Sequence, residues 1–297
     1  MTLAPADLEV MATILERSGD YRVLRRLSPR QTITEPDGSE LRLGIVLDTE
    51  TTGLDPKRDE IIELAMVPFT FAPDGRIFEI KEPFHGLRQP SMPIPAEITK
   101  ITGIDDAMVA GKYIDPDQVT EFVEPAVLVI AHHAAFDRPF LERFVPRFGR
   151  RCWACSMSEI DWRAEGREST KLAWLLSEAG FFYERHRSVS DCQALIELLA
   201  RPLPRAGVTA FAKLVEAARQ PTWRIWAEHS PFEVKDLLKA RGYRWNPGDD
   251  GRPKSWFIEV GTEARDDELA WLGKEIYRRD GVDLRIDRLT AYERFSS

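Results

Sequence analysis

The stretch L-G-I-V-L-D-T-E-T-T-G-L at residues 43–54 joins a strand pattern to two acids. Residues 43–47 form an apolar, β-forming run, which predicts a strand buried on both faces. Side chains two apart on a strand point to one face, so Asp48 and Glu50 stand side by side. Neighbouring carboxylates repel each other and lose hydration, and a divalent cation such as Mg²⁺ or Mn²⁺ relieves both costs. Taken alone, the stretch also fits two surface acids at a strand end.

Two further motifs lie downstream of this stretch. They are A-H-H-A-A-F-D at residues 131–137 and H-R-S-V-S-D at residues 186–191. Together with D-T-E they give four acids and one histidine in the order and local spacing of the DnaQ-like (DEDDh) 3′–5′ exonucleases. The chain resembles that family over residues 43–202, and the segment I-T-K-I-T-G-I at 98–104 adds to the likeness.

The resemblance implies a two-metal phosphodiesterase site. It implies that Asp48, Glu50, Asp137 and Asp191 bind two Mg²⁺ or Mn²⁺ ions, which would lie ~3.5–4 Å apart across the scissile phosphate. It also implies that His186 is the catalytic histidine, because a neutral imidazole can take the proton of an attacking water. A lone histidine is more often structural, but its place in H-x-x-x-x-D reverses that expectation.

Three substrate-binding residues follow from the same resemblance. Thr51 and Leu54 match positions that contact the terminal nucleotide, although a turn residue and a core leucine explain them equally well. Phe136 is either a core residue or a platform for a base, and the core is favoured. At His133 the sequence departs from the family, which usually has Asn there, and the departure puts the local geometry in doubt.

The region 43–202 is predicted to be an α/β domain with a ribonuclease-H-like, mixed five-stranded sheet flanked by helices. Further strands are expected at 60–67, 76–80, 127–131 and 152–156. Helices are expected at 95–109, broken at Gly103, then from about 135, at 171–180 and at 189–200.

The remaining residues are predicted to form three further parts. Residues 1–42 read as an N-terminal helical extension that packs on the nuclease, and residues 203–222 read as a linker. Residues 223–297 read as a small, Trp-rich α+β accessory domain with the order β-α-β-β-α-β.

The aromatic residues of this last part have two interpretations. Trp223, Trp226, Tyr243, Trp245 and Trp256 lie among the basic residues Lys235, Arg241, Arg244 and Lys254. They would form either a stacking surface for single strands or the core of a domain that needs large side chains. A protein-docking module is a third reading. The core interpretation is favoured, because acidic residues balance the basic ones.

Composition sets the wider bounds. A net charge of −8 argues against coating of nucleic acid by bulk electrostatics, but not against an enzyme that grips a chain end. No apolar run approaches the ~18–20 residues of a membrane helix, and the N-terminus lacks a signal-peptide pattern, so a cytoplasmic location is expected. Three cysteines fit a reducing compartment, and C-x-x-C at 152–155 has no second pair to complete a zinc site.

These observations predict an exonuclease that releases 5′-mononucleotides from DNA in repair or proofreading. The expected partner is a single-stranded or frayed 3′ end of DNA, with RNA as the alternative, and a DNA polymerase is a candidate partner. No membrane partner is expected. The alternatives are an RNA exonuclease of the oligoribonuclease or ribonuclease T type and a catalytically silent nucleic-acid-binding subunit.

Overall fold

The computed structural model describes residues 4–279 and 281–296. Within these ranges the strands, in chain order, are β1 (Arg25–Arg26), β2 (Arg42–Thr51), β3 (Ile61–Phe71), β4 (Ile77–Ile80), β5 (Phe84–Leu87), β6 (Leu128–Ala131), β7 (Trp153–Cys155), β8 (Phe181–Phe182), β9 (Thr222–Ala227), β10 (Arg244–Asn246), β11 (Ser255–Gly261) and β12 (Ile286–Leu289). The α-helices are α1 (Pro5–Ser18), α2 (Ala96–Thr102), α3 (Asp106–Val109), α4 (Pro116–Val123), α5 (Ala134–Phe144), α6 (Leu172–Glu178), α7 (Ser188–Leu199), α8 (Ala210–Arg219), α9 (Lys235–Ala240) and α10 (Arg265–Trp271). Short 3₁₀ turns occupy Pro146–Arg150 and Phe232–Val234, and α10 continues as a π-helix over Leu272–Tyr277. No helix of the described residues is long and apolar enough to cross a membrane.

A mixed sheet of six strands forms the centre of the molecule. Its order is β4-β3-β2-β6-β7, and β5 pairs with β3 beside β4. Strand β2 is central, because β3 runs antiparallel on one side and β6 runs parallel on the other. The ribonuclease-H-like fold predicted for this region is confirmed, with one strand more than the five expected. Strand β5 escaped prediction because F-H-G-L lacks an apolar run; β3 is long enough to pair with both β4 and β5.

Helices cover both faces of this sheet, as alternating side chains of the buried strand β2 require. Val46 packs with residues of α6, α7 and α8, whereas Ile45 and Leu47 pack with residues of α5. Helix α2 ends at Gly103, whose φ of 70° is the left-handed conformation expected of a glycine helix stop. The break predicted at this glycine is therefore present.

The N-terminal segment meets the nuclease after its helix rather than through it. Strand β1 pairs in parallel with β8, and Leu27 and Ile33 pack against the core. The apolar side chains of α1 are instead exposed, namely Leu8, Val10, Met11, Ile14 and Leu15. Arg25 holds α1 by ion pairs with Glu9 and Glu16. The packing expected of the helix itself is therefore not observed.

The last third of the chain forms a second, four-stranded antiparallel sheet of order β10-β11-β9-β12. Its elements follow the predicted order β-α-β-β-α-β. Beyond β12, residues 291–295 return to the first sheet, where Ala291 O accepts a hydrogen bond of 2.7 Å from Trp153 N. Helix α8 lies within the segment predicted to be a linker, and it packs Phe211 against Phe69 and Phe71 in the main core. The proposed division into domains stays a prediction.

Candidate active site

Three carboxylates converge at the end of the central strand. Asp48 and Glu50 lie on β2, and Asp191 lies in the first turn of α7, which packs on the same face of the sheet. Each of the three side chains offers an oxygen, and these oxygens all lie within 4.8 Å of one another. Two of the predicted acids on a strand and one on a distant helix thus meet at one place.

Asp137 approaches from the opposite face. It lies in the first turn of α5, is 3% exposed, and its Oδ1 accepts hydrogen bonds from Thr49 N at 3.1 Å and Thr49 Oγ1 at 2.8 Å. Thr49 points away from its neighbours Asp48 and Glu50, as strand geometry requires. Asp137 is therefore outside the group of three, but it is near enough to contribute the largest charge effect on Asp48.

The loop before α7 fixes the position of Asp191. Tyr183 donates its hydroxyl to Asp191 Oδ1 at 2.7 Å, and Arg187 N donates to Asp191 Oδ2 at 3.1 Å. Burial, followed by the charge of Asp191, raises the pKa of the Tyr183 hydroxyl, so this group remains a donor. Both oxygens of Asp191 thus have a partner within the chain.

His186 lies in the same loop and faces the acids. Its Nδ1 is 4.0 Å from Glu50 Oε1, and its side chain is 51% exposed. The backbone φ of 58° is in the left-handed region, which is uncommon for a residue other than glycine and is found most often in turns and at functional sites. The predicted catalytic role of His186 is compatible with this placement and stays a prediction.

The pKa values of the four acids are raised above their usual range. Burial, with the charge of Asp191 next, raises the pKa of Glu50 to about 8, and burial raises the pKa of Asp137 to about 7. Burial, followed by the charges of Asp137, Asp191, Glu50 and Glu63, raises the pKa of Asp48 well above its usual value. Burial also raises the pKa of Asp191. Such a group of carboxylates is stable in its ionised form only with a cation nearby.

The donor set fits a hard divalent cation. All of its ligand atoms are carboxylate oxygens, which suit Mg²⁺ and Mn²⁺ rather than the softer metals that thiolates select. The free thiols Cys152, Cys155 and Cys192 are not members of this group, although Cys192 follows Asp191 on α7. Cys155 lies buried on β7, and burial raises the pKa of its thiol.

The loop after β2 presents the candidate nucleotide contacts. Leu54 is 82% exposed, whereas Thr51 is buried and donates its hydroxyl to Gly53 O at 2.6 Å. Asp59 closes this loop by accepting from Asp55 N at 2.8 Å. An apolar side chain held so far into solvent favours the contact role over the core role for Leu54. Phe136 is half-buried and packs on Phe140 at 5.0 Å, as the favoured core reading expects.

The two adjacent histidines differ in environment. His132 Nδ1 meets Ser156 Oγ at 2.8 Å and its Nε2 meets Thr170 O at 2.7 Å, and burial lowers the pKa of its imidazole to about 4. His133, which replaces the usual Asn, precedes α5 without capping it and lies with its ring 6.1 Å from Phe136.

A fifth buried acid adjoins the cluster and was missed by sequence reasoning. Glu63 on β3 is the cross-strand partner of Glu50 and is 4% exposed. Its Oε1 lies 2.7 Å from His85 Nε2, and its Oε2 accepts from Ser188 N at 3.2 Å. The available signal was an acid inside the apolar run I-I-E-L-A of a strand.

A ribonuclease-H-like sheet with acids at the end of its central strand defines a class of nucleases. Residues 45–199 match the sequence model of the Exonuclease family (RNase_T), just over half of the chain, so the chain belongs to that family. The predicted likeness to DnaQ-like exonucleases is thereby confirmed.

Relatives of known sequence include DNA polymerase III proteins. The chain is 28% identical over 212 residues to a PolC-type DNA polymerase III of Thermotoga petrophila, covering 66% of this chain and 14% of that protein. It is 33% identical over 189 residues to a DNA polymerase III subunit epsilon-like protein of Rhodobacter capsulatus, covering 59% of this chain and 26% of that protein. The chain thus spans only a small part of these relatives.

Solved structures include similar nucleases. Exonuclease X, solved with 5′ overhanging duplex DNA, is 25% identical, with a TM-score of 0.40 over 59% of this chain and 90% of that chain. The nuclease domain of 3′hExo, a DEDDh family member bound to rAMP, is 18% identical, with a TM-score of 0.47 over 58% of this chain and 96% of that chain.

Proposed function

We propose that the chain is a 3′→5′ exonuclease that needs two divalent ions and releases 5′-mononucleotides from DNA, in repair or proofreading. The observation that carries the proposal is the convergence of Asp48, Glu50 and Asp191 within 4.8 Å at the end of the central strand. Asp137, beside Asp48, would complete the set of metal ligands. The relatives named as DNA polymerase III proteins support DNA as the substrate and a polymerase as a partner.

The residues of the chain divide the chemistry between them. The four acids hold the ions, which supply charge stabilisation of the phosphoryl and leaving oxygens when bound. Leu54 packs against the terminal base, and the loop that contains Thr51 positions the nucleotide. His186 takes the proton of the attacking water, and its half-exposed side chain returns that proton to solvent.

Two alternatives remain to be separated from this function. An RNA exonuclease would use the same acids and histidine on a ribose substrate. A catalytically silent subunit would have no need to keep four acids together, whereas here burial raises the pKa of all four and repulsion adds to the rise for Asp48 and Glu50. That cost supports a bound cation and favours the enzyme.

One assay tests the proposal and both alternatives. DNA and RNA oligonucleotides labelled at either end are incubated with Mg²⁺, Mn²⁺ or EDTA. We expect a 3′ label to leave at once as a mononucleotide, a 5′ label to appear in a shortening ladder, and EDTA to stop both. Asp48→Asn should be inactive, and the exposed Glu121→Gln should match the native chain. Faster cleavage of RNA would favour the RNA alternative, and equal activity of Asp48→Asn would reject this site.

A further inference from the structure

Five aromatic residues of the C-terminal part form two groups that differ in exposure. Trp226 and Tyr243 are 1% and 4% exposed and belong to the interior. Trp245 is 48% exposed and Phe232 is 75% exposed, while Trp256 is half-buried and packs against the core of this part. The core interpretation therefore accounts for Trp226 and Tyr243 and for part of Trp256, but it does not explain the exposed Trp245 and Phe232.

Two lysines of one helix connect the three aromatic residues of the second group. Trp245 and Trp256 are direct partners on β10 and β11, so they share a face, and their rings lie 5.5 Å apart at 63°. Lys239 Nζ lies 5.8 Å from the ring centre of Trp256, and Lys235 Nζ lies 4.2 Å from that of Phe232. Lys235 and Lys239 are one helical turn apart on α9. These five residues are called the Trp245 surface below.

The lysines of the Trp245 surface are available to an anion. Most cations of this sheet have a carboxylate within 4.0 Å, as Arg224, Arg241, Arg244, Arg265 and Arg285 do. Lys235 and Lys239 have no such partner among residues 4–279 and 281–296. Glu233 and Asp236 on the same segment limit the net charge, so stacking must supply most of the affinity. Aromatic faces with unpaired cations between them are typical of surfaces that bind single strands.

The Trp245 surface is connected to the active site. Lys57 Nζ lies 2.8 Å from Asp249 Oδ2, which joins the loop after β2 to the hairpin between β10 and β11. Both side chains are more than half exposed, so the ion pair adds little stability. The contact nevertheless shows that the loop and the hairpin are neighbours. Leu54 is three residues from Lys57 and Trp245 is four residues from Asp249, spans of at most about 11 Å and about 14 Å.

We propose that the Trp245 surface binds the single-stranded part of a nucleic acid whose 3′ end lies at the carboxylate cluster. Bases several nucleotides from the 3′ end stack on Trp245 and Trp256, and Lys235 and Lys239 contact the adjacent phosphates. The location of the 3′ end rests on the proposed function, whereas binding of the strand by the surface does not. The surface therefore makes the full chain prefer long strands over short ones.

Binding is measured by fluorescence anisotropy with labelled oligo-dT of 4, 8 and 16 nucleotides, in EDTA so that no strand is cut. We expect Trp245→Ala to weaken binding of the 16-mer about ten-fold and to leave the 4-mer unchanged, since one stacked base is lost. Trp245→Phe should retain most of the affinity. Lys235→Ala with Lys239→Ala should weaken binding and flatten its salt dependence. The exposed Tyr21→Ala, on the N-terminal segment, is the matched control.

Hydrolysis separates this proposal from the proposed function. With Mn²⁺, the native chain and Trp245→Ala should cleave a dinucleotide at equal rates, whereas kcat/KM for the 16-mer should fall in the variant. If both cleave DNA but bind the 16-mer equally, the surface is rejected and the exonuclease stands. If neither cleaves but the binding difference remains, the surface stands and the exonuclease is rejected. Equal loss of affinity in Tyr21→Ala would also reject the surface.

Discussion

Glu50 shows how a single residue couples the stability of the fold to a cation. Its pKa is about 8 in the folded chain, against a reference value of 4.5. Between these two values the unfolded chain has lost the proton and the folded chain keeps it, so the free energy of unfolding decreases as pH rises. Below pH ~4 both states are protonated and this penalty is absent. A divalent cation that binds the ionised Glu50 carboxylate in the folded chain would oppose this decrease in the free energy of unfolding.

We therefore expect the midpoint temperature of thermal unfolding, measured in EDTA, to decrease as the pH is raised from 5.5 to 8.5. The increase in this temperature on adding Mn²⁺ should become larger over the same pH range. Glu50→Gln should flatten the curve in EDTA and reduce the gain from Mn²⁺, because one titrating ligand is gone. For the four acids together, we expect the pH-dependent change in the free energy of unfolding to be on the order of a few kcal/mol. Glu121→Gln, on the exposed face of α4, provides the comparison. A gain from Mn²⁺ that is the same at every pH would contradict the assignment of these acids as ligands.

A substitution at His186 tests catalysis separately from metal binding. The change His186→Asn removes the proposed base but suits the backbone, since Asn tolerates the positive φ found there. We expect kcat to fall about 10²- to 10⁴-fold, the usual contribution of a positioned base. The thermal gain from Mn²⁺ should stay at its native value, because the imidazole holds no ion. A variant that keeps full kcat would remove His186 from the mechanism.

At the scale of elements, Glu63 joins three pieces of secondary structure beside the site. It belongs to β3, meets His85 on β5, and accepts from Ser188 N at the start of α7. Ser188 is fully buried, so no water replaces a lost partner. The start of α7, and with it Asp191, is thereby held against the strand that pairs with β2.

We expect Glu63→Ala to lower the free energy of unfolding by about 1–3 kcal/mol, because a buried amide loses its acceptor. Glu63→Gln keeps an oxygen in that place and should cost less. Urea unfolding of both variants, with Glu121→Ala for comparison, measures the difference. Equal stability of the Ala and Gln variants would show that the bond to Ser188 N contributes nothing.

The elements also show what sequence could and could not predict. Asp48 and Glu50 were predictable, because a strand period places them on one face and a buried run precedes them. The bond from Glu63 to Ser188 was not, since it joins residues 125 positions apart through the packing of α7 on the sheet. The position of Asp137 depends in the same way on how α5 packs, so that Thr49, and not a neighbouring acid, became its partner. Local patterns predicted the elements, and long-range packing determined these contacts.

At the scale of the whole molecule, the C-terminal residues complete the nuclease core. Arg138 is 1% exposed and donates to Arg294 O and Tyr292 O, each at 2.6 Å. Arg294 is itself buried, forms an ion pair with Glu159, and donates to Ala218 O at 2.8 Å at the end of α8. A chain cut near residue 202 would lose both α8 and these contacts. The second sheet is therefore joined to the first at both of its ends.

The ion pair of Arg294 with Glu159 gives the most direct test of how the C-terminal residues stabilise the nuclease core. Arg294→Ala leaves the buried Glu159 carboxylate without its cation, and burial already raises the pKa of that group. We expect a loss of about 3–5 kcal/mol in the free energy of unfolding, measured in urea on the full chain. Glu159→Gln removes the charge but keeps an oxygen for Cys155 N, which donates to Glu159 Oε2 at 2.6 Å. The double variant should lose less than the sum of the two single losses, since no charge then remains unpaired. If the losses of the two single variants were strictly additive, the backbone contacts of the segment after β12 would hold it in place, and the ion pair would contribute nothing.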